Sequence, residues 1–311
     1  MAHNIFTLVG PTGVGKTDIA IKLAQEYNVD IISADSRQIY KYMDIGTAKP
    51  RVAVSGQRIA DSGVRFHLVD IITPDILYSA ADFAQDCKKV INELIQQKKS
   101  FILVGGSGLY LKALFKPFFS APPRDLTLRK RLEKDDLDKL YARLQLIDLN
   151  SAQRIKPQDR QRIIRALEIY EQTCKPMSEK IKEQSDSSEF IPFYIGLTLP
   201  RKILNEKINQ RFDKMIEDGL VNEVKYLMKL GYTKEHNALN GIGYAEIIRY
   251  LDGELSLMQA IDSAKTRSRQ YAKRQMTWFK KLENVNWVDA SVIDKVKEKV
   301  SCYYQQFLKL D

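Results

Sequence analysis

The eight residues Gly10-Pro11-Thr12-Gly13-Val14-Gly15-Lys16-Thr17 have a composition and spacing that can hold phosphate. They match GxxxxGK[ST]. Its glycines let the backbone curl so that several N–H groups converge on one anion, its lysine reaches terminal phosphates, and its threonine offers a hydroxyl to Mg²⁺. A helix starting behind such a loop adds its partial positive charge. The pattern leaves the compound open, because a diphosphate ester suits it as well as a nucleoside triphosphate. An ordinary ATPase also carries an acidic residue at the end of a buried apolar strand. Here the apolar run FILVGG ends in Gly105, and the run that ends in a carboxylate is VDIISAD, at Asp35. A carboxylate at a strand's C-terminal end beside the loop can hold Mg²⁺ indirectly or accept a proton from an attacking nucleophile. It can equally be a turn residue or a helix N-cap. Gly105-Gly106-Ser107-Gly108 is a second Gly-rich turn, open either to a role for the Ser107 hydroxyl in the same crevice or to plain tight packing. GTAKP supplies one loop cation, Lys49.

Two further stretches concentrate cations, and a single arginine stands beside an apolar stripe. Lys265 to Lys281 holds seven and no acid, with Lys265, Arg269 and Lys273 on one i, i+4 row and Arg267, Arg274 and Lys281 on another. Tyr271, Trp278 and Phe279 interleave; Trp278 and Phe279 read as core. A same-sign helix face repels itself and suits a phosphate backbone, although a solvated face is the common alternative. Gln158-Asp159-Arg160-Gln161-Arg162, with Arg165 one turn on, opens a helix whose apolar side is Ile163, Ile164, Leu167 and Tyr170. Arg211 lies beside the buried stripe Ile208, Phe212 and Met215, where it can point along a cleft.

The elements that must carry these residues alternate. IFTLVG, VDIISAD, HLVDII and FILVGG read as strands. DIAIKLAQEY and AADFAQDCKKVINELIQQ read as helices, with Ile19, Ala20, Leu23, Ala24 and Tyr27 on one face and Phe83, Cys87, Val90, Ile91 and Leu94 on the other's. Strands alternating with helices predict a mostly parallel sheet covered on both faces. From Ser120 the texture changes. APPRD breaks the chain, TLRKRLEKDDLDKLYARLQ and QDRQRIIRALEIYEQT are charged amphipathic helices, and SEKIKEQSDSSE reads as a loop or tip. FYIGLTL returns to strand, followed by helix from RKILNEKINQRF. The expected architecture is an α/β core over 1–119 and 190–311, interrupted by a helical insertion domain at 120–189.

Composition narrows the class. The 311 residues carry 49 Lys and Arg against 39 Asp and Glu, a formal charge of +10, which favours a polyanionic partner without proving one. With 44 % hydrophobic residues the chain can bury a core, so intrinsic disorder is excluded. No apolar run approaches the ~20 residues of a membrane span. The start MAHNIFTLVGPTG lacks the form of a secretory leader. Cys87, Cys174 and Cys302 are odd in number and far apart, which fits a reducing compartment and argues against a disulfide framework or zinc site.

Read in order, GPTGVGKT, DSRQIYKYMDIGTAKP, HLVDI, FILVGGSGLYL, QDRQRIIRALEIYE, RFDKMIEDGLVNEV, GIGYAE and RSRQYAKRQMTWF resemble the tRNA dimethylallyltransferase family over nearly the whole chain. The resemblance implies a P-loop NTPase-like core. It also implies transfer of a dimethylallyl group from its diphosphate to N6 of the adenosine 3′-adjacent to the anticodon, by a cytoplasmic monomer. It implies that Gly10, Pro11, Thr12, Gly13, Val14, Gly15, Lys16 and Thr17 hold the diphosphate rather than ATP, with Mg²⁺ as cofactor on Thr17. Asp35 would be the general base, Arg211 would stabilise the leaving group, and Ser107 would lie at the reaction centre. The anticodon stem-loop of tRNA would meet Asp35, Ser36, Arg37, Gln38, Ser107 and Arg129. It would also meet Gln158, Asp159, Arg160, Gln161, Arg162, Gly241, Ile242, Gly243, Tyr244, Arg269, Lys273 and Arg274. Two rivals stay open on the residues alone: a P-loop kinase of a nucleotide or small metabolite, and a nucleic-acid-stimulated ATPase. ATP turnover with Mg²⁺ separates both from a prenyl transferase.

Overall fold

A computed structural model describes residues 3–50, 58–59, 63–116, 121–183, 189–291 and 293–309. Packing divides the chain into two compact units, Met1–Phe115 with Glu189–Asp311, and Lys116–Ser188.

The first unit is built on strands β1 (His3–Val9), β2 (Asp30–Ala34), β3 (Arg58–Ile59), β4 (Arg65–His67), β5 (Phe101–Gly105), β6 (Phe190–Thr198) and β7 (Asn286–Asp289). They form one sheet in the order β3-β4-β2-β5-β1-β6-β7, parallel except for the antiparallel β3–β4 edge. β1, β2 and β5 are buried along almost their whole length, which is why they read as continuous apolar runs rather than alternating ones. α1 (Lys16–Tyr27), α2 (Ala80–Gln96) and α3 (Gly108–Phe115) follow the strands in the first half of the chain. α1 buries Ile19, Ala20, Leu23 and Ala24, and α2 buries Phe83, Cys87, Ile91 and Leu94. Ser79 and Asp82 close a reciprocal capping box at the start of α2.

HLVDII departs from the strand expected of it. Pairing stops at His67, and Leu68 and Asp70 adopt left-handed backbone at φ 59° and 57°. The segment turns instead onto the stretch after β2, where Asp70 N–H donates to the Gln38 carbonyl at 3.0 Å and Ile71 N–H to the Ile39 carbonyl at 2.9 Å.

The second unit holds α4 (Leu126–Leu132), α5 (Leu137–Ile147), α6 (Leu149–Arg154), α7 (Arg160–Thr173) and α8 (Met177–Lys182). Its own core is Leu132, Leu140, Leu144, Ile155, Ile163, Ile164 and Leu167 with their neighbours. TLRKRLEKDDLDKLYARLQ is two helices, not one, because Asp136 caps a new start by accepting from Asp138 N–H at 2.9 Å. The tip expected of SEKIKEQSDSSE is helical through Lys182; residues 184–188 of it lie outside the described residues. Asp148 is buried and accepts from Ser151 and Ser178, tying α8 to the start of α6.

The chain then completes the first unit with α9 (Arg201–Glu217), α10 (Leu220–Lys229), a 3-10 turn (Asn237–Asn240), α11 (Tyr244–Leu251), α12 (Leu257–Phe279) and α13 (Ile293–Phe307). One core cluster joins the sheet to α1, α13 and the start of α9, through Phe6, Leu8, Leu23, Ile195, Ile208 and Tyr304 among others. A second joins Ile39, Tyr40 and Met43 to α9, α10, α11 and α12. Among the described residues no helix is long and apolar enough to cross a membrane.

Candidate functional site

The loop 10–17 leaves the carboxyl end of β1 and enters α1, so both an anion-binding loop and a helix N-terminus face one edge of the sheet. Gly15 stands at the N-cap with φ 94°, a backbone state that a side chain disfavours. Beside it opens a cavity of about 1760 Å³. Its wall includes Thr12, Gly13, Gly15, Lys16 and Thr17 from the loop, Asp35 to Gln38 from the end of β2, Arg211 from α9, and Tyr271 and Gln275 from α12.

Lys16 Nζ donates to the Pro11 carbonyl at 2.9 Å, and Arg211 Nη1 donates to Thr12 Oγ1 at 3.3 Å. Burial displaces water from both cations. It lowers Lys16 to about 8, with Asp35 opposing the shift and Arg211 adding to it. Arg211 is lowered from its ordinary value, again by burial first, with Asp35 and Asp18 opposing. Lys16 and Arg211 are thus two desolvated cations close to one another and to Asp35, and such a pair favours a polyanion.

Asp35 is a turn residue, not a helix cap. Its Oδ1 accepts from Arg37 N–H at 2.8 Å and from Gln38 N–H at 3.4 Å. Its Oδ2 takes no hydrogen bond among the described residues. Ser107 stands next to it: Ser107 Oγ accepts from Ser36 N–H at 3.0 Å and donates to Ser36 Oγ at 3.2 Å, with Tyr271 nearby. Burial, with Asp35 next, raises the Tyr271 phenol. The glycines before Ser107 follow from steric fit. A Cβ on Gly105 would lie 2.3 Å from the Ala34 carbonyl oxygen, so the acidic residue of an ordinary ATPase has no room there.

The loop beyond Asp35 is fastened from within. The buried Gln38 side chain accepts from Ser33 Oγ at 3.1 Å and donates to the carbonyls of Thr47 and Ala48 at 3.3 Å. Lys49 is not a free loop cation; its side chain is buried, donates to the Tyr40 carbonyl and pairs with Asp44 and Asp70. Glu223 on α10 collects the N–H groups of Asp44, Ile45 and Gly46 at 2.7–3.1 Å and the Tyr244 hydroxyl at 2.6 Å. Tyr244 is 1 % exposed and lies against Gly46, while Ile242 lines the cavity. Gly243 caps α11 at φ 95°, and Arg37 Nη1 donates to the carbonyls of Asn237 and Ala238 just before Gly241. Sequence reasoning missed Glu223, Gln275 and the role of Tyr271. Only Tyr271 carried a signal, as an aromatic in a basic helix.

On α12 the cations divide. Lys265 pairs with Asp213, Arg267 with Glu246, and Arg269 Nη1 donates to Asn209 Oδ1 at 2.6 Å. Lys273 and Arg274 are exposed, the latter over the Tyr271 ring at 5.8 Å. In the helical unit, Gln158, Gln161 and Arg162 are exposed at the start of α7, Asp159 caps that helix, and Arg160 donates to the carbonyls of Glu133 and Asp135. Arg129 is 9 % exposed, with its guanidinium on buried Glu168 and on Gln161. That leaves it a framework cation more than a surface one.

Comparison with known proteins adds identity to this geometry. Residues 38–282 match the family model described as IPP transferase. A tRNA dimethylallyltransferase of Alkaliphilus oremlandii is 42 % identical over 312 residues, 99 % of this chain and 98 % of the relative. The full-length tRNA isopentenylpyrophosphate transferase of Bacillus halodurans has a TM-score of 0.69 at 36 % identity over 99 % of both chains. A eukaryotic dimethylallyltransferase acting on tRNA reaches a TM-score of 0.79 at 29 % identity, covering 94 % of this chain and 75 % of that one. With a family model over most of its length and relatives alike from end to end, the chain belongs to the IPP transferase family, the tRNA dimethylallyltransferases.

Proposed function

We propose that the protein transfers a dimethylallyl group from dimethylallyl diphosphate to N6 of the adenosine 3′-adjacent to a tRNA anticodon, and releases diphosphate. The observation that carries this reading is the meeting, in one cavity, of two desolvated cations bonded to the phosphate loop, Lys16 and Arg211, with the Asp35 carboxylate, which keeps one oxygen free of hydrogen bonds among the described residues.

In the reaction a bond forms between N6 and C1 of the prenyl group while the C1–oxygen bond to diphosphate breaks. The bonding electrons leave with the diphosphate, where Lys16 and Arg211 meet the growing charge. N6 is a poor nucleophile because its lone pair is delocalised into the ring. Asp35 Oδ2 accepts its proton, while the two N–H groups on Oδ1 hold the carboxylate in place. Ser107 lines the approach beside Asp35. The hydroxyl of Thr17 lines the cavity and has no partner among the described residues, and no group of three acidic, His or Cys side chains stands ready to cage a metal there. That donor set fits Mg²⁺, which keeps waters and accepts one protein oxygen plus substrate phosphates. When bound, the ion neutralises charge on the diphosphate.

The acceptor base must leave its stack, and a loop base costs less to extract than a paired one. Lys273 and Arg274 on α12, and Gln158, Gln161 and Arg162 at the start of α7, offer exposed cations and amides for phosphate and sugar.

A single-turnover assay tests the reading. Radiolabelled dimethylallyl diphosphate, Mg²⁺ and an unmodified tRNA with adenosine 3′ of the anticodon are mixed with the enzyme, beside an identical tube carrying labelled ATP. Prenyl label on the tRNA with ATP inert is expected. Consumption of ATP with unlabelled tRNA would hand the phosphate loop to a kinase.

A further inference from the structure

One face of α12 packs along the whole Gly106–Gly108 turn. Tyr271 lies near Ser107, Gln275 bonds to Gly106, and the Trp278 ring covers Gly108 so closely that a Cβ there would lie 2.4 Å from it. These three residues stand at i, i+4 and i+7, the spacing of a single helical stripe. Gln275 does something its neighbours on the stripe do not. Its side chain is 7 % exposed and bonds at both ends of the amide. Nε2 donates to the Gly106 carbonyl at 2.8 Å, and Oε1 accepts from Thr12 N–H at 2.8 Å.

The second bond fixes the plane of the Pro11–Thr12 peptide. With its N–H turned to Gln275, the carbonyl of the same peptide faces the other way and receives Lys16 Nζ, while the Thr12 hydroxyl receives Arg211. One amide therefore sets the orientation of a peptide whose carbonyl holds Lys16 and whose Thr12 side chain holds Arg211. We infer that Gln275 is a positioning residue for the prenyl diphosphate: it holds the Pro11–Thr12 peptide in the orientation that presents Lys16 and Arg211 to the leaving group. The inference rests on the proposed reading of the loop as a diphosphate site.

The test compares wild type, Gln275→Met and Gln275→Glu. Binding of dimethylallyl diphosphate with Mg²⁺ is measured by calorimetry, tRNA affinity by filter binding, and thermal midpoint by circular dichroism. Gln275→Met keeps the volume and loses both bonds. A buried N–H and a buried carbonyl left unpaired weaken a site that depends on them by roughly ten- to a hundredfold. That loss is expected in diphosphate affinity and in kcat/KM for the donor, with tRNA affinity unchanged. Gln275→Glu carries the sharper readout. Ionised, it keeps the acceptor for Thr12 but turns an oxygen on the Gly106 carbonyl and adds negative charge beside the diphosphate. Protonated, it donates to Gly106 as glutamine does. Its diphosphate affinity relative to wild type should therefore recover as pH falls from 8 to 5.5. If all three proteins bind the diphosphate alike, Gln275 does not position the loop. If the variants lose tRNA affinity and thermal stability in step with diphosphate affinity, the amide is only structural, and the inference fails. If wild type itself does not bind the diphosphate, the functional reading fails first.

Discussion

Asp35 carries a division of labour between its two oxygens. Oδ1 is committed to the Arg37 and Gln38 N–H groups, and a neutral amide can keep those bonds, so Asp35→Asn should leave the turn intact. What it removes is proton acceptance by Oδ2. Single-turnover transfer should fall by roughly 10²–10⁴ with tRNA affinity nearly constant, and a variant that turns over at the wild-type rate would remove Asp35 from the chemistry. Lys16 gives a pH-dependent counterpart. Burial brings it down to about 8, so it is charged below that pH and neutral above it. The diphosphate needs the charged form. Donor affinity should fall about tenfold for each unit as pH rises above about 8, and that falling limb should disappear in Lys16→Gln, whose affinity is low on both sides of it.

The Asp44–Lys49 loop is held as an element by a residue far away in sequence. Glu223 gathers three backbone N–H groups and the Tyr244 hydroxyl, and Gly46 has the Tyr244 ring where its Cβ would be. Glu223→Ala leaves those donors without their charged acceptor and should cost about 2–4 kcal/mol in denaturant unfolding. Donor KM should rise as well, because the loop lines the cavity. Gly46→Val should destabilise further, which the same unfolding curves check. Such anchoring was invisible in the sequence. Glu223 reads as one more charge on an amphipathic helix, and the three loop N–H groups it gathers lie 177–179 residues away. Gln275 is hidden in the same way, 263 residues from Thr12. By contrast the phosphate loop, α1, α2 and the central strands are legible because local spacing alone dictates them: buried parallel strands give continuous apolar runs, and a helix face repeats every three to four residues. HLVDII misleads for a local reason too. Its composition is that of a strand, but Leu68 and Asp70 turn left-handed so that their segment can pair with the stretch after β2. The cation rows of α12 were visible, yet the sequence does not tell that Lys265, Arg267 and Arg269 serve α9 and α11.

At the scale of the whole molecule, a charge of +10 and exposed Lys273, Arg274 and Lys281 make tRNA affinity a function of salt. Log affinity should fall linearly with log salt, and each of Lys273→Ala, Arg274→Ala and Lys281→Ala should reduce that slope by about 1 while leaving dimethylallyl diphosphate affinity alone. Equal slopes in all three would move the RNA footprint off this end of α12. The sheet order has a further consequence, for synthesis. β1 is made before the other strands of its sheet, yet along its full length, from His3 opposite Phe190 to Val9 opposite Gly196, it pairs with β6, which is made after β2, β3, β4 and β5. Until that strand arrives, the nascent chain presents one side of a buried apolar strand with nothing bonded to it, an edge of the kind that recruits other chains. At about 5–20 residues per second the exposure lasts on the order of ten seconds or more. The helices of Lys116–Ser188, which carry their own core, are complete before the wait ends. The strand that leads into the candidate phosphate loop is thus made before the rest of its sheet and is among the last to be paired on both sides.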